Sequence, residues 1–380
     1  MSGFLFDTLV IIAKIVVVFA VVLGSVPALV LIERKLLGYM QVRPGPNRVG
    51  PWGLLQTMVD GAKIFFKENV IPTGVDHLTY QLAPILVIVP ALIVSAVVPF
   101  GPTIEVFGRR IALSIADLGD AEQSLGLLYF FAIASLTIYG IVLAGWSSNN
   151  KWSLLGGLRS AAQMVSYEIT LSLAAVGVLL LSGTFSLRAI ADQQAGGFWH
   201  WNVFSQPLGF ALFLVAGLAE NNRLPFDLPE AESELTGGYH TEYSSMRFAM
   251  FYMAEYMNLF LTCAMIVTLF FGGFHPPYPY RFGTAWLDGA IGLAWFGVKV
   301  GTFVLLYVWT RATLPRLRYD QLMALGWKIM LPLAFLNLFL SALFIALGWK
   351  WWQMGLAGLA VLLLADASLG SLLWRRRRAA

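Results

Sequence analysis

Long apolar runs separated by short polar connections dominate the pattern of this 380-residue chain. A transmembrane helix needs about 20 consecutive, mostly apolar residues, and a sliding window over the sequence predicts nine such spans. They cover about residues 8–32, 80–100, 125–146, 161–182, 203–220, 248–273, 289–310, 328–348 and 351–373. The pattern therefore predicts an all-α polytopic membrane protein.

A second periodicity appears in the connection after the first span. The apolar positions that recur there at helical spacing are Trp52, Leu55, Val59, Ala62 and Phe66, and the opposite face has Gln56, Asp60, Lys63 and Lys67. This pattern predicts an amphipathic helix lying in the membrane interface. A simple interfacial anchor is the first interpretation. The alternative is one wall of an opening through which a lipid-soluble substrate leaves the bilayer.

Basic residues are divided unequally between alternate connections. The segments after the odd-numbered spans, including the terminal Arg375–Arg378 run, hold 18 Lys and Arg, whereas the other connections hold five. The positive-inside rule places the richer side in the cytoplasm, the N-terminus outside and the C-terminus inside. The net charge of +4 follows from this asymmetry and does not indicate nucleic-acid binding. The arginine run is typical of a membrane-surface anchor.

Composition limits the chemistry that the chain performs by itself. Hydrophobic residues make up 58% and charged residues only 12% of the sequence, which excludes a soluble multidomain protein. The single cysteine, Cys263, excludes an internal disulfide and any cluster ligated by several cysteines of this chain. All four histidines fall in predicted connections, which argues against paired haem ligation inside the bundle. Redox chemistry, if present, belongs to a partner.

Two carboxylates lie at the same distance from the start of a predicted span. Glu168 and Glu255 each lie about seven residues from the cytoplasmic start of a span, which predicts a shared depth of roughly 10 Å. Acids inside a membrane are costly and normally face the interior of the bundle, so a proton or ion path is the favoured hypothesis. A structural hydrogen bond to a neighbouring helix is the alternative. Lys299 is a candidate counter-charge, or it binds backbone carbonyls.

A dense group of acids lies between residues 220 and 242. Six of the 21 carboxylates occur there, namely Glu220, Asp227, Glu230, Glu232, Glu234 and Glu242. Asp227 and Glu230 have the spacing of a capping box, and Gly237 and Gly238 are typical of a helix end, which predicts a short helix at 228–236. On that helix Asp227, Glu230 and Glu234 share one face, where like charges repel and titrate as a coupled set. A solvated acidic loop is the alternative.

Five long motifs resemble one family across residues 1 to about 348. They are ERKLLGYMQVRPGPNRVGP at 33–51, LLQTMVDGAKIFFKE at 54–68, GWSSNNKWSLLGGLRSAAQMVSYE at 145–168, AENNRLPFDLPEAESEL at 219–235 and RYDQLMALGWK at 318–328. The sequence is similar to the H subunit, also called subunit 1, of the proton-pumping NADH:quinone oxidoreductase, respiratory complex I. The resemblance implies a membrane-arm subunit at the junction with the peripheral redox arm.

The resemblance also implies roles for individual residues. The acidic channel of the family corresponds to Glu168, Glu220, Asp227, Glu230, Glu234 and Glu255. The side of the quinone tunnel corresponds to Glu33, Arg34, Asp60, Phe65 and Phe226. No residue is expected to be catalytic in isolation. Quinone is the implied substrate, while NAD, FMN and the iron–sulfur clusters belong to partner subunits.

Further expectations concern organisation and location. Residues 1–348 are expected to form the family's membrane domain, and residues 349–380 an additional helix with a basic tail. The expected partners are other membrane-arm and peripheral-arm subunits, quinone and the lipid bilayer, in a bacterial inner membrane. Other classes stay open, namely the related subunit of a hydrogenase or formate-linked complex, a cation/proton antiporter, and a structural anchor.

Overall fold

The computed structural model describes residues 2–106, 109–111, 115, 125–229, 232–278 and 285–379. Helices form most of this part of the chain. In order they are α1 Ser2–Met40, α2 Gln56–Phe66, α3 His77–Val94, α4 Gly126–Ala134, α5 Leu136–Ser147, α6 Lys151–Ser182, α7 Leu187–Gln193, α8 Asn202–Ser205, α9 Pro207–Glu220, α10 Glu232–Leu235, α11 Ser245–Phe270, α12 Ala285–Thr313, α13 Tyr319–Ala324, α14 Leu331–Ala346 and α15 Trp351–Ala379. Strands β1 Ile104–Val106 and β2 Arg109–Ile111 form an antiparallel hairpin in which Glu105 lies opposite Arg110.

Among the described residues, seven helical segments are long and apolar enough to cross a membrane. They are Thr8–Met40, His77–Val97, Gly126–Ser147, Lys151–Ser182, Ser245–Phe270, Trp286–Thr313 and Tyr319–Ala346. Two shorter apolar helical segments, Pro207–Glu220 and Trp351–Ala365, match the fifth and ninth predicted spans. The all-α membrane architecture predicted from the hydropathy pattern is confirmed, and the chain is a polytopic helical membrane protein.

The start of α6 differs most from the predicted spans. This helix begins at Lys151, where the Asn150 side chain accepts a hydrogen bond from the Trp152 amide at 3.0 Å, and not near residue 161. Glu168 therefore lies 17 residues into its helix and Glu255 only 10 residues into α11. The equal depth inferred from the two span starts no longer follows.

Helix α11 lies at the centre of the bundle. Of its most apolar window, 78% is buried inside the protein, more than for any other of the seven long segments. It packs against α1, α3, α9 and α12, and the amphipathic helix α2 also lies against it. Most side chains in this window therefore face other parts of the protein.

The connection between α9 and α11 folds differently from its prediction. Its only α-helix in the described part is the short α10, Glu232–Leu235. The helix expected at 228–236 is therefore wrong for residues 228 and 229, which are not helical, while residues 230 and 231 lie outside the described residues. The end is as expected, because Gly237 and Gly238 have φ angles of 124° and 69°. A Cβ atom added to Gly156 of α6 would come within 2.7 Å of the Gly238 Cα, so this turn packs directly on the α6 backbone.

The last helix, α15, packs against α8, α9 and α14. Its Gly355 lies so close to α8 that an added Cβ would overlap the carbonyl of Phe204. This close approach explains a glycine in the middle of an apolar helix. The additional helix predicted for residues 349–380 is therefore docked on the bundle through its first half.

Candidate functional site

Buried charges meet where α1, α11 and the segment after α9 converge. Arg223 Nη1 lies 3.2 Å from Glu33 Oε2, and Arg223 Nε lies 2.7 Å from Glu255 Oε1. The Arg223 and Glu33 side chains are both only 8% exposed, so this is a desolvated ion pair. One guanidinium thus joins two carboxylates that are 222 positions apart in the sequence.

Two further groups complete this ion network. Arg311 of α12 forms a second ion pair with Glu33. The Tyr256 hydroxyl donates to Glu33 Oε2 at 2.8 Å, and the Arg223 guanidinium lies 4.2 Å from the centre of the Tyr256 ring. Burial alone lowers the pKa of Arg223, but the neighbouring Glu255 carboxylate, Tyr256 and Tyr252 together outweigh that effect and raise this pKa above its ordinary value. Arg223 is therefore permanently charged.

A small cavity lies beside the ion network, between α3, α5, α6, α9 and α11. Its volume, measured as the space open to the centre of a water-sized sphere, is about 30 Å³. Its lining combines apolar side chains with the polar residues Glu220, Asn221, Asn222, Glu255 and Asn258. A cavity of this size with several polar groups has room for one or two water molecules. The two predicted acids Glu220 and Glu255 therefore face one hydratable space.

Glu168 lies close to this space without lining it. It is half-buried on α6, and it is near enough to Glu220 for the two charges to interact. Asp227 similarly lies within electrostatic range of Glu255. The structure thus brings Glu168, Glu220, Asp227 and Glu255 together from three helices and a loop.

Two of the acids expected on one helix face, Asp227 and Glu234, form ion pairs with arginines. Asp227 Oδ2 accepts a hydrogen bond from Arg316 Nη2 at 3.1 Å, and Glu234 Oε2 accepts one from Arg159 Nη1 at 2.9 Å. Glu230 lies outside the described residues. The expected group of mutually repelling acids on one helix face is therefore wrong for Asp227 and Glu234, because each has its own cation on a different element.

One amide holds the loop that carries Asp227. Gln163 of α6 is fully buried, and its Nε2 donates to the carbonyl oxygens of Ala219 at 2.8 Å and Phe226 at 2.9 Å. The same nitrogen lies 3.1 Å from Asn222 Oδ1. Both ends of the 219–226 segment are thus fixed to α6, which positions Arg223 between them.

Two of the residues expected to line the quinone tunnel, Arg34 and Asp60, contact each other beside α2. Arg34 of α1 forms an ion pair with Asp60, and Gln56 Nε2 donates to Asp60 Oδ1 at 2.9 Å. Burial alone raises the pKa of Asp60, but the hydrogen bonds from Arg34 and Gln56 outweigh it and lower this pKa below its usual value. The polar face of α2 therefore turns toward α1.

The opposite face of α2 is apolar and uncovered within this chain. Phe65 is 65% exposed and Phe66 is 85% exposed. Phe226 does not share this surface, because it is 4% exposed and its ring lies 5.8 Å from that of Tyr167. The expectation that Phe65 and Phe226 share one aromatic surface is therefore wrong, because Phe65 is exposed on α2 and Phe226 is a core residue beneath the acidic loop.

Lys299 is separate from the acidic residues. Its Nζ donates to the carbonyl oxygens of Phe271 at 2.6 Å, Gly273 at 3.0 Å and His275 at 2.6 Å. Of the two alternatives in the sequence, the carbonyl partners are therefore found, and Lys299 secures the turn after α11. No group of three His, Cys, Asp or Glu side chains within the described ranges is arranged to hold a metal ion.

Four functional candidates were not predicted from the sequence. Arg223, Tyr256 and Arg311 form the ion network with Glu33, and Gln163 fixes the loop. Arg223 lies inside the acidic stretch, and Gln163 is an amide in an apolar span. Both positions are unusual enough in the sequence to have indicated a functional candidate. Tyr256 gave none, because a tyrosine in an apolar helix is ordinary.

These features define a class of protein: a polytopic helical membrane protein with a buried, paired charge network beside a hydratable acidic cavity. A sequence model of the NADH dehydrogenase family matches residues 13–342. The match ends before α15 begins. The chain belongs to the NADH dehydrogenase family.

Individual relatives cover nearly the whole chain. The NADH-quinone oxidoreductase H subunit 1 of Geobacter sulfurreducens is 51% identical over 342 residues, which cover 88% of this chain and 95% of that protein. The H subunit 2 of Koribacter versatilis is 49% identical over 346 residues, covering 89% and 98%. The H subunit of Brevibacillus brevis is 49% identical over 331 residues, covering 87% and 92%. The resemblance inferred from the five motifs is confirmed.

Proposed function

We propose that this chain is the subunit of a proton-translocating NADH-quinone oxidoreductase that forms the quinone-access tunnel and an acidic path leading from it. The proposal rests on the similarity to proteins named as H subunits of NADH-quinone oxidoreductases. The single observation that carries the mechanism is Arg223, which contacts Glu33 on the tunnel side and Glu255 at the acidic cavity.

The opening for quinone is proposed between α1, α2 and α11. Helix α2 packs against both other helices, and its exposed Phe65 and Phe66 offer an apolar surface to an isoprenoid tail. Arg34 and Asp60 lie on its inner, polar side, where a quinone headgroup is better solvated than in lipid. This arrangement supports the second interpretation of the amphipathic helix, a wall of an opening.

We propose that quinone reduction is coupled to proton movement by electrostatic interactions between buried charged residues. Reduction of quinone by electrons from a partner changes the charge near Glu33, and the buried arginines respond to that change strongly because little water screens them. A weakened Arg223 contact alters the electrostatic environment of Glu255. The effect then extends across the cavity to Glu220 and to the neighbouring Glu168. The residues of this chain hold and move charge, while the electrons stay in partner subunits.

The proposed substrate, partners and membrane orientation follow from the similarity to H subunits and from the distribution of basic residues. Quinone is the substrate, and NAD, FMN and the iron–sulfur clusters are assigned to partner subunits of the peripheral arm. The orientation proposed from the basic residues, with a periplasmic N-terminus and a cytoplasmic C-terminus in the bacterial inner membrane, places the 220–243 segment on the cytoplasmic face. Glu230 and Glu234 belong to the proposed path as its entrance.

The test compares two Glu→Gln variants in the purified native complex. Glu168→Gln should reduce coupled quinone reductase activity while leaving assembly intact. Glu242→Gln is the matched control, because the Glu242 side chain accepts a hydrogen bond from Asn150 at 2.7 Å, which a glutamine oxygen can also accept. Wild-type coupled activity of an assembled Glu168→Gln complex would refute the relay. Absence of quinone reduction by the wild-type complex would refute the function as a whole.

A further inference from the structure

One buried hydroxyl near the acidic path has no hydrogen-bonding partner. Tyr307 of α12 is 3% exposed, and its hydroxyl makes no hydrogen bond within the described part of the chain. An isolated hydroxyl inside a protein is costly, since it has exchanged water for an environment that does not replace the lost hydrogen bond. Its position therefore requires a reason other than packing.

Tyr307 points at a gap in the surface of α9. A Cβ atom added to Gly217 would lie 3.2 Å from the Tyr307 hydroxyl and 2.7 Å from Thr262 Cγ2. The glycine thus leaves room for the hydroxyl tip, and we call the space beside Gly217, Thr262 and Tyr307 the Gly217 notch. Polar character continues around it, because Asn221 Nδ2 donates to Gly217 O at 2.8 Å and lies 3.2 Å from Thr262 Oγ1.

Glu220 is the acid closest in sequence to the notch. It lies three residues after Gly217 on α9, so both residues are on the same helix face. Side chains on an α-helix lean toward its N-terminus, which directs the Glu220 side chain back over Gly217. Tyr307 also lies within electrostatic range of Glu220. None of the described residues donates a hydrogen bond to Glu220, which lines the cavity shared with Glu255.

We propose that Tyr307 is the second partner of Glu220. In one position the Glu220 carboxyl faces the cavity, as in the structure. In the other position it turns back along α9 toward the Tyr307 hydroxyl at the edge of the Gly217 notch, and this hydroxyl donates a hydrogen bond to the ionised carboxylate. Tyr307 is thus a positioning residue that selects between two states of the acid.

Helix α12 connects the proposed Tyr307–Glu220 contact to the residues on the tunnel side. Arg311, the partner of Glu33, follows Tyr307 by four residues, so both side chains lie on one face of α12. A small shift of α12 that changes the Arg311–Glu33 contact also moves the Tyr307 hydroxyl relative to Glu220. The inference rests on the proposed function, because it refines how the acidic path is switched.

The decisive variant is Tyr307→Phe, measured for stability and for coupling. Removing an unpartnered hydroxyl should leave the thermal stability of the complex unchanged or higher. Coupled proton translocation should fall about tenfold, the order expected for one hydrogen bond to a charged group. In a Glu220→Gln background, Tyr307→Phe should add no further loss, because the two residues act as one unit. Additive losses would overturn the inference.

A spectroscopic readout separates positioning from general damage. The infrared difference spectrum between the quinone-reduced and oxidised complex should contain a carboxyl band that disappears in Glu220→Gln. Tyr307→Phe should shift that band. An unshifted band together with wild-type coupling would overturn the inference. If Glu168→Gln has lost coupling while Tyr307→Phe is unaffected, only the inference fails; if both are unaffected, the proposed function fails as well.

A second variant covers the case in which Tyr307→Phe does not assemble. Gly217→Ala fills the notch, and combining it with Thr262→Ser removes the methyl group that the new Cβ would contact at 2.7 Å. Serine retains the oxygen that faces Asn221. This double variant should assemble and lose coupling about as strongly as Tyr307→Phe, whereas Thr262→Ser alone should be active. A fully coupled double variant would overturn the inference.

Discussion

Replacing Arg223 by methionine is the perturbation that the structure defines most sharply. Methionine has a similar length and apolar stem but no charge, so Arg223→Met leaves Glu255 buried without its cation. Glu33 keeps Arg311 and Tyr256. Removing one partner of a buried ion pair typically costs about 3–5 kcal/mol, because the remaining charge is stranded away from water. Surface pairs contribute only about 0–1 kcal/mol.

The assay is the thermal inactivation temperature of the purified complex. Arg223→Met should lower this temperature by on the order of 5 °C or more. Arg159→Met is the matched control, since the side chains of Arg159 and its partner Glu234 are 34% and 48% exposed. It should cost less than about 1 kcal/mol. The combined variant Arg223→Met/Glu255→Gln should recover at least half of the loss. The reasoning is refuted if Arg223→Met is no less stable than Arg159→Met, or if the double variant shows the summed losses.

Three further changes test other parts of the structure. Phe65→Glu should raise the apparent KM for long-tailed quinones more than for short-tailed ones, and equal effects in steady-state assays would exclude an apolar lip. Gly156→Ala should destabilise the complex by about 1–3 kcal/mol in thermal unfolding, because the new Cβ meets the Gly238 backbone at 2.7 Å, and unchanged stability would contradict that packing. Burial lowers the pKa of His240 to about 4, so stability should be constant above about pH 6.5 and be lost as pH falls toward 4, by up to about 3 kcal/mol. The loss arises because only the unfolded state takes up the proton in this window. His240→Gln should flatten the dependence between pH 8 and pH 5, and an unchanged slope would contradict this account.

The hydropathy pattern was a reliable guide to the helices, and its largest error has a physical cause. The first ten residues of α6, KWSLLGGLRS, contain polar and small residues that lower the window average. Those small residues are nevertheless helical, because Gly156 allows close packing against the turn at Gly238. Hydropathy measures affinity for lipid, whereas this end of the helix is stabilised by contact with another protein segment.

The acidic residues were recognisable from the sequence, but their partners were not. Counting charges gave Glu168, Glu220 and Glu255 as candidates, and the fold brings all three near one cavity. Arg223 and Glu33 are 190 residues apart, so their pairing appears only when the fold brings the segment after α9 against α1. The prediction from the acidic stretch alone also overestimated the charge repulsion at Glu234. Its partner Arg159 lies on α6, outside that stretch.

The central claim is that a carboxyl facing the cavity couples quinone reduction to proton movement. Glu220→Gln tests it most directly, because the change removes a titratable carboxyl group without breaking a hydrogen bond among the described residues. The measurement is the number of protons translocated per electron by the complex reconstituted in sealed vesicles. The account predicts an assembled complex with a reduced proton-to-electron ratio. A wild-type ratio at a wild-type rate of quinone reduction would contradict it.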